Sequence, residues 1–393
     1  MRSRLPKVLH PICGRPMLAY VLDAARDATG ERPLVVYSPA TAQIRDVFAD
    51  EADFALQDEP RGTGDALRAA LAALPEDVEE IVVLSGDVPL IEAAHVEHVM
   101  AVRREGAVMA LAAFEPLDPT GYGQITIDES GAVRVLEAKD DDQAEGDPTV
   151  ANAGLYAFDV AWLRRAISRV EPSAVTGEIY LTRLPEIATL DGERVVVARS
   201  AGFTWDESLE GVNDREQLAR AAQDLRLGPI FEWMRNGVTF EDPSTAAIDT
   251  TVQLAEDVTV EPNVTLKGST RVGRETVIKS GSYIVDSVIG ERCTIWASVI
   301  EDSVVEDDVR VGPFSHLRPG ARIGAGAEIG NFAEIKKARL GPRTKQHHFS
   351  YIGDAEVGAD VNIGAGTITA NYDGRRKHRT RIGDGAFIGS DTI

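Results

Sequence analysis

Val305-Glu-Asp-Asp-Val-Arg-Val311-Gly-Pro-Phe-Ser-His-Leu317-Arg-Pro-Gly-Ala-Arg-Ile323-Gly-Ala-Gly-Ala-Glu-Ile329-Gly-Asn-Phe-Ala-Glu-Ile335 sets one aliphatic residue at every sixth position. A helix repeats every 3.6 residues and a strand every two, so neither explains the pattern. A period of six suits a solenoid with three flat faces per coil. One small aliphatic side chain per face fills the core, and Gly or Asn eases the corners. The phase is present upstream at Val260, Leu266, Val272, Ile278 and Ile284, before a one-residue slip. It persists downstream at Val357 and Ile363, and at Ile382 and Ile388. Gly often follows the key residue, as in Val272-Gly273, Ile289-Gly290 and Ile323-Gly324. A narrow prism has no room for large rings, and aromatics make up only 6% of the chain. An ordinary antiparallel β domain does not predict so regular a phase over so long a stretch. The spacing predicts a parallel β-helix of hexapeptide repeats.

Upstream the grammar differs. Helical spacing over Met17–Ala28, Gly64–Ala73 and Glu92–Arg104 alternates with apolar runs at Pro33–Tyr37, Ile81–Leu84 and Val108–Phe114. Such alternation predicts a mostly parallel sheet with helices on both faces. Ligands of such sheets sit at the carboxyl ends of the strands, where Ser85-Gly86-Asp87 falls. A helical arm with Leu218, Ala222, Leu225 and Ile230 as its apolar stripe joins the two halves. The expected domains are 1–212, a linker with the arm over 213–240, and the β-helix over 241–393.

The 393 residues carry 41 Lys and Arg against 63 Asp and Glu, a net charge of −22. Phosphate backbones attract basic patches, so this balance argues against nucleic acid as a partner, though not against a local pocket for a small phosphorylated ligand. Two cysteines, Cys13 and Cys293, exclude a disulfide framework and a cysteine-based zinc site and fit a reducing cytoplasmic compartment. No run of 18 apolar residues predicts membrane insertion, and the first residues lack the apolar core of a secretion signal.

Several motifs carry a resemblance that covers essentially the whole chain. They are Leu5-Pro-Lys-Val-Leu-His10, Gln57 with Gly62-Thr63-Gly64, Gly86-Asp87-Val-Pro-Leu90, Asp118-Pro-Thr-Gly-Tyr-Gly123 and Glu210-Gly-Val-Asn213. In the β-helix they are Leu317-Arg-Pro-Gly320, Gly330-Asn-Phe-Ala-Glu-Ile-Lys-Lys-Ala-Arg-Leu340, Tyr351-Ile-Gly-Asp354 and Asn362-Ile-Gly-Ala-Gly-Thr-Ile-Thr-Ala-Asn-Tyr-Asp-Gly374. In this order they resemble the bacterial bifunctional N-acetylglucosamine-1-phosphate uridylyltransferase/glucosamine-1-phosphate N-acetyltransferases. The resemblance implies a Rossmann-like nucleotidyltransferase domain, a helical arm and a left-handed parallel β-helix. It also implies a homotrimer through the β-helix, with acetyl-transfer sites between subunits.

Nucleotidyl transfer brings two polyanions together. The site needs a divalent ion and cationic side chains to offset charge. Mg²⁺ takes few protein oxygens alongside substrate phosphates, and Asp87 at a strand end is a good ligand. The resemblance makes Asn213 the second ligand and pairs Lys7 with phosphate. It implies that Gln57, Gly62 and Thr63 read the uracil and form its loop, with UTP as donor. The resemblance also implies that Ser85 and Gly86 line the same site. Gly123, Glu137 and Asn152 are implied to contact N-acetylglucosamine 1-phosphate. The bland alternatives are a capping turn for Asp87, a helix cap for Asn213 and a solvated surface lysine for Lys7.

Acetyl transfer from a thioester needs a neutral amine, and a histidine is the natural base. His347 and His348 are the candidates. The family motif selects His348, and neighbours in an extended segment should point oppositely. Glu334 is expected to orient the base or bind the amino group. Arg318, Lys336 and Lys377 are the phosphate candidates for glucosamine 1-phosphate, with Tyr351 and Asn362 on the sugar. Ala365, Asn371, Tyr372 and Ser390 match the acetyl-CoA positions. Asn371–Arg379 breaks the six-residue phase, as a loop extruded from a solenoid does.

Against the family pattern, the chain starts after the place of a Gly-rich loop of the form Leu-Ala-Ala-Gly-x-Gly-Thr-Arg and stops inside a coil. The expectation is that a chain of this extent lacks the first strand and much of the triphosphate cradle, and has little uridylyltransferase activity. Gln124 and Ala138 also stand where the family often has Arg and His, and Ser85 where it often has a larger residue. Two other readings stay open at this point. One is a different sugar-phosphate nucleotidyltransferase whose β-helix serves assembly or regulation. The other is a non-catalytic scaffold of the same architecture.

Overall fold

The computed structural model describes residues 1–116, 118–137, 150–199 and 207–393. Ala138, noted above, lies outside them. The chain divides into two compact units, Met1–Ala221 and Ala222–Ile393.

The first unit contains α1 (Met17–Thr29), β1 (Leu34–Tyr37), β2 (Asp53–Leu56), α2 (Thr63–Ala73), β3 (Glu80–Leu84), α3 (Ala93–Arg104) and β4 (Met109–Phe114), and all but β2, which the spacing did not pick out, fall where the sequence places them. A hairpin of β5 (Gln124–Ile127) and β6 (Val133–Leu136), then β7 (Ala151–Asp159) and β8 (Val195–Arg199), follow. Every residue of β4 is buried. Met109, Leu111 and Ala113 join one core with Leu67, Leu71 and Leu163. Ala110, Ala112 and Phe114 join another with Leu18, Leu22, Val96 and Val99. Side chains alternate across a strand, so the sheet has a helical layer on each face, as expected.

The strand directions correct the expectation of a mostly parallel sheet. β7 runs through the middle and pairs antiparallel with β3 on one edge and β4 on the other. β3, β4 and β8 share one direction, but only β4 and β8 are neighbours in it. The short β5–β6 hairpin lies between β4 and β7 in the chain and is itself antiparallel. β1 and β2 form a separate parallel pair.

The second unit is the left-handed β-helix. Three stacks of short parallel strands run its length, one per face. Val260 registers on Ile278, Ile278 on Ile295 and Ile295 on Val311, so a coil takes 18, 17 or 16 residues. The inward column of one face reads Val260, Ile278, Ile295, Val311, Ile329, Gln346 and Ile363. The single slip expected from sequence is in fact several five-residue steps, such as Ile284 to Ile289, Ile300 to Val305 and Ile335 to Leu340. Those corners turn two residues after the inward one, at Asp286, Asp302 and Lys337, all at positive φ. Burying each aliphatic knob contributes roughly 1.5–3 kcal/mol, spread evenly along the prism.

The glycines that follow inward residues do a different job from easing corners. Gly330 is not among the positive-φ residues. A Cβ there would lie 2.1 Å from the carbonyl oxygen of His347 in the next coil. Coil-to-coil contact, not backbone conformation, demands glycine. The corners themselves are mostly Asp, Asn or Gly at positive φ, the residues that tolerate it best. Of the helix Arg215–Arg235, Ile230 is fully buried against the first coil's Val238 and Phe240, while Leu218, Ala222 and Leu225 are half-buried.

Candidate functional sites

In the first unit the end of β3 gathers residues far apart in sequence. The Lys7 Nζ donates to Asp87 Oδ2 in a close ion pair. It also donates to Asn213 Oδ1 at 2.9 Å. Lys7 opens a short 3-10 turn, Lys7–Leu9. Asp87 follows the strand, and its carbonyl accepts from the Val212 N–H at 2.8 Å, which draws the 210–213 segment alongside. The half-buried Tyr122 hydroxyl accepts from the Gly211 N–H at 3.0 Å and braces that segment. Burial pushes the Tyr122 phenol up, so it stays neutral. Tyr122 is a residue that sequence reasoning did not assign. Its signal was its place inside the Gly121-Tyr-Gly123 turn.

The two oxygens assigned to Mg²⁺ therefore already converge on a cation, the Lys7 ammonium. Carboxylate and amide oxygens are the donors a hard divalent ion takes, so the residues fit the ion. No cluster of three or more His, Cys, Asp or Glu side chains suited to a metal occurs among the described residues.

Gln57 lies at the end of β2 and its Nε2 donates to Gly62 O at 3.1 Å and Asp65 Oδ2 at 3.0 Å. Gly62 sits at φ +113°, and a Cβ there would meet the Ile179 carbonyl at 2.6 Å. Thr63 accepts from the Leu181 N–H at 3.0 Å. The uracil-loop candidates are thus brought together and laced to 179–181. Ser85 donates to Gly154 O at 3.3 Å, and Gly86 packs over Val8 and Leu18. Gly123 accepts from the Asn152 N–H at 2.8 Å. Asn152 Nδ2 donates to Tyr156 Oη at 2.6 Å. Glu137 accepts from the Thr182 hydroxyl.

In the β-helix, one face carries most of the acetyl-transfer candidates. Glu334 registers on Tyr351, and Lys336 on Gly353. Arg318 Nη1 donates to Glu334 Oε1 at 2.7 Å, and this pairing holds the guanidinium above its ordinary value. The Tyr351 ring lies back over Gly353, where a Cβ would meet its hydroxyl at 2.3 Å. The extruded loop returns here. Asn371 Nδ2 donates to Asp354 Oδ2 at 3.1 Å, and Lys377 Nζ lies 3.7 Å from the same oxygen. Asp354 was not singled out in the sequence. Its signal was an Asp at a corner directly after the tyrosine and glycine of the site.

Other candidates stand apart. Asn362 registers on Lys345, on a different face from Arg318 and Tyr351. His348 is exposed on the corner between those faces. His347 pairs with Glu328 at 3.0 Å, and its ring meets that of His348 edge-on with centroids 6.4 Å apart, so the two rings lie together instead of on opposite sides as expected. Ala365 O accepts from the Asp391 N–H at 2.7 Å, beside exposed Ser390. Tyr372 is exposed and donates to Gly374 O at 2.8 Å. Within one chain these do not meet the Arg318 group at a single point.

Comparison with known proteins fits this layout. Residues 1–153 match the model of the MobA-like NTP transferase domain, and residues 302–337 match the bacterial transferase hexapeptide family. The bifunctional protein GlmU of Lactobacillus helveticus is 41% identical over 392 residues, covering 99% of this chain and 84% of that protein. Those of Heliobacterium modesticaldum and Shouchella clausii are 41% and 38% identical, covering 100% and 99% of this chain and 85% and 86% of their own lengths. The chain belongs to the bifunctional GlmU family. A GlmU-family chain joins a nucleotidyltransferase to an N-acetyltransferase in UDP-N-acetylglucosamine synthesis, with UTP and acetyl-CoA as donors. That disposes of the scaffold reading and of a β-helix serving assembly alone. Among the described residues no helix is long and apolar enough to cross a membrane.

Proposed function

We propose that the two reactions run at two separate centres, acetyl transfer first. Residues 1–212 carry uridylyl transfer, 213–240 link, and 241–393 carry acetyl transfer. His348 takes the proton as the amine of glucosamine 1-phosphate attacks the thioester carbonyl of acetyl-CoA, and the thiol leaves. Glu334 orients the amino group. Arg318, Lys336 and Lys377 hold the phosphate, and Tyr351 and Asn362 hold the sugar. Ala365, Asn371, Tyr372 and Ser390 hold acetyl-CoA.

The product then enters the first unit. Its phosphate oxygen attacks the α-phosphorus of UTP and pyrophosphate leaves. Gln57, with the Gly62-Thr63 loop, reads the uracil. Gly123, Glu137 and Asn152 position the acetylated sugar, next to Ser85 and Gly86. Asp87 and Asn213 would hold Mg²⁺, which supplies charge neutralisation on the triphosphate when bound. Lys7, released from those oxygens, pairs with phosphate.

The observation that carries this reading is the meeting of Lys7, Asp87 and Asn213 at one ammonium across separations of 80 and 206 residues. A folded sheet has no structural need to cluster them on a half-exposed strand end. A homotrimer is supported by a column of exposed rings: Phe314, Phe332 and Phe349 are 60%, 62% and 60% exposed, in successive coils beside His348. The first two stack with centroids 5.7 Å apart. A neighbouring copy on this corner would bring its own faces to His348 and Asn362, which one chain leaves apart. A cysteine count of two in 393 residues supports a cytoplasmic enzyme. The test is pyrophosphate release from UTP and N-acetylglucosamine 1-phosphate in the native protein. It should require Mg²⁺ and fall by about 100-fold in Asp87→Asn. Unchanged release in that variant would sink the metal-site reading.

A further inference from the structure

From Leu254 to Ile363 the inward positions of the β-helix are aliphatic, apart from Gln346, which stands in register between Ile329 and Ile363. It is fully buried. Its Nε2 donates to Ser350 Oγ at 2.8 Å, and Ser350 Oγ donates to the His348 carbonyl at 2.9 Å. Its Oε1 has no partner. A buried amide oxygen without a donor is unfavourable, so packing does not explain the residue.

The corner it serves is also unlike the others. From Leu254 to Ile363, each step between inward residues turns through a residue at positive φ, except Gln346 to Ile352, which has none among its described residues. Corner serines recur elsewhere: Ser287, Ser298 and Ser303 each donate to the carbonyl two residues back. Ser350 makes that bond too, but among the described residues of the β-helix it is the one that also accepts from a core side chain. The Ser350 proton is spent on His348 O, so the Ser350 oxygen can only accept, and the amide is oriented. From outside, the exposed His348 ring has no hydrogen-bond partner among the described residues. What fixes its backbone comes from within the core.

We propose that Gln346 is a positioning residue for acetyl transfer, cross-linking the His348 corner from inside the β-helix through Ser350. This rests on the reading of His348 as the base. Displacing a catalytic group by a fraction of an ångström costs turnover without costing substrate binding.

The test uses the native protein with Gln346→Leu, which keeps the bulk and removes the amide, and Ser350→Ala, which cuts the relay at its other end. Thiol release from acetyl-CoA should show kcat about tenfold lower in each, with KM for glucosamine 1-phosphate within about twofold. The double variant should lose no more than either single one. Gln346→Leu should melt no lower than the parent, since an aliphatic knob replaces an orphaned amide. Wild-type kcat in Gln346→Leu, with an inactive His348→Ala, overturns this inference alone. A kcat loss that merely tracks a lowered melting temperature overturns it too. Full acetyl transfer in His348→Ala overturns the reading of the base and this inference with it.

Discussion

His10 ends the Lys7-Val-Leu turn and is only 5% exposed, with Nε2 unpartnered. Burial, and then the charge of Arg215, hold its imidazole below the ordinary 6.5. The folded protein thus binds this proton less readily than the unfolded chain. The stability it contributes is complete above 6.5 and is lost as pH falls below it toward the depressed value. Urea unfolding between pH 7.5 and 5.5 should show this decline, and His10→Gln should flatten it. An equal slope in the variant would mean that other groups carry it. At this scale the sequence was legible where chemistry forces a residue type. Asp87 at a strand end and the His347–His348 pair could be read directly. Asp354 could not, because its importance comes from a loop that returns from 17 and 23 residues downstream. Asp354→Ala frees Lys377 and leaves the Asn371 side chain its bond to the Gly353 carbonyl. It should raise the KM for glucosamine 1-phosphate about tenfold in a thiol-release assay, the weight of one charge-assisted contact. An unchanged KM would remove Lys377 from the phosphate site.

Among elements, the hexapeptide strands were the most legible, since one inward side chain per face writes the fold into the chain every six residues. The places where the reading slipped have physical causes. Corners through Asp286, Asp302 and Lys337 turn one residue early, so the count drops to five without disturbing the core. β7 could not be oriented from its own residues, because a strand buried on both faces looks the same in either direction. The stacked coils also set a strict limit on side chains. Gly330→Ala would press a methyl onto the next coil at His347 O, so it should cost about 1–3 kcal/mol in denaturant unfolding. It should also disturb acetyl transfer before uridylyl transfer. A neutral Gly330→Ala would mean that the coils separate easily.

For the whole molecule, a net charge of −22 coexists with two sites that must hold polyanions. In the proposed reading local cations would resolve this: Lys7 in one unit, and Arg318, Lys336 and Lys377 in the other. The exposed phenylalanine column is the largest apolar feature beside His348. Phe332→Glu should lower the sedimentation coefficient from that of a trimer toward a monomer and take acetyl transfer down with it. A trimer that survives the charge would place the seam elsewhere. The central claim is that two reactions live at two centres in one chain. The most direct measurement is to assay pyrophosphate release and thiol release side by side in Asp87→Asn and His348→Ala of the native protein. The account predicts that Asp87→Asn loses the first reaction and keeps the second, and that His348→Ala does the reverse. Loss of both reactions in either variant, or of neither, would contradict it.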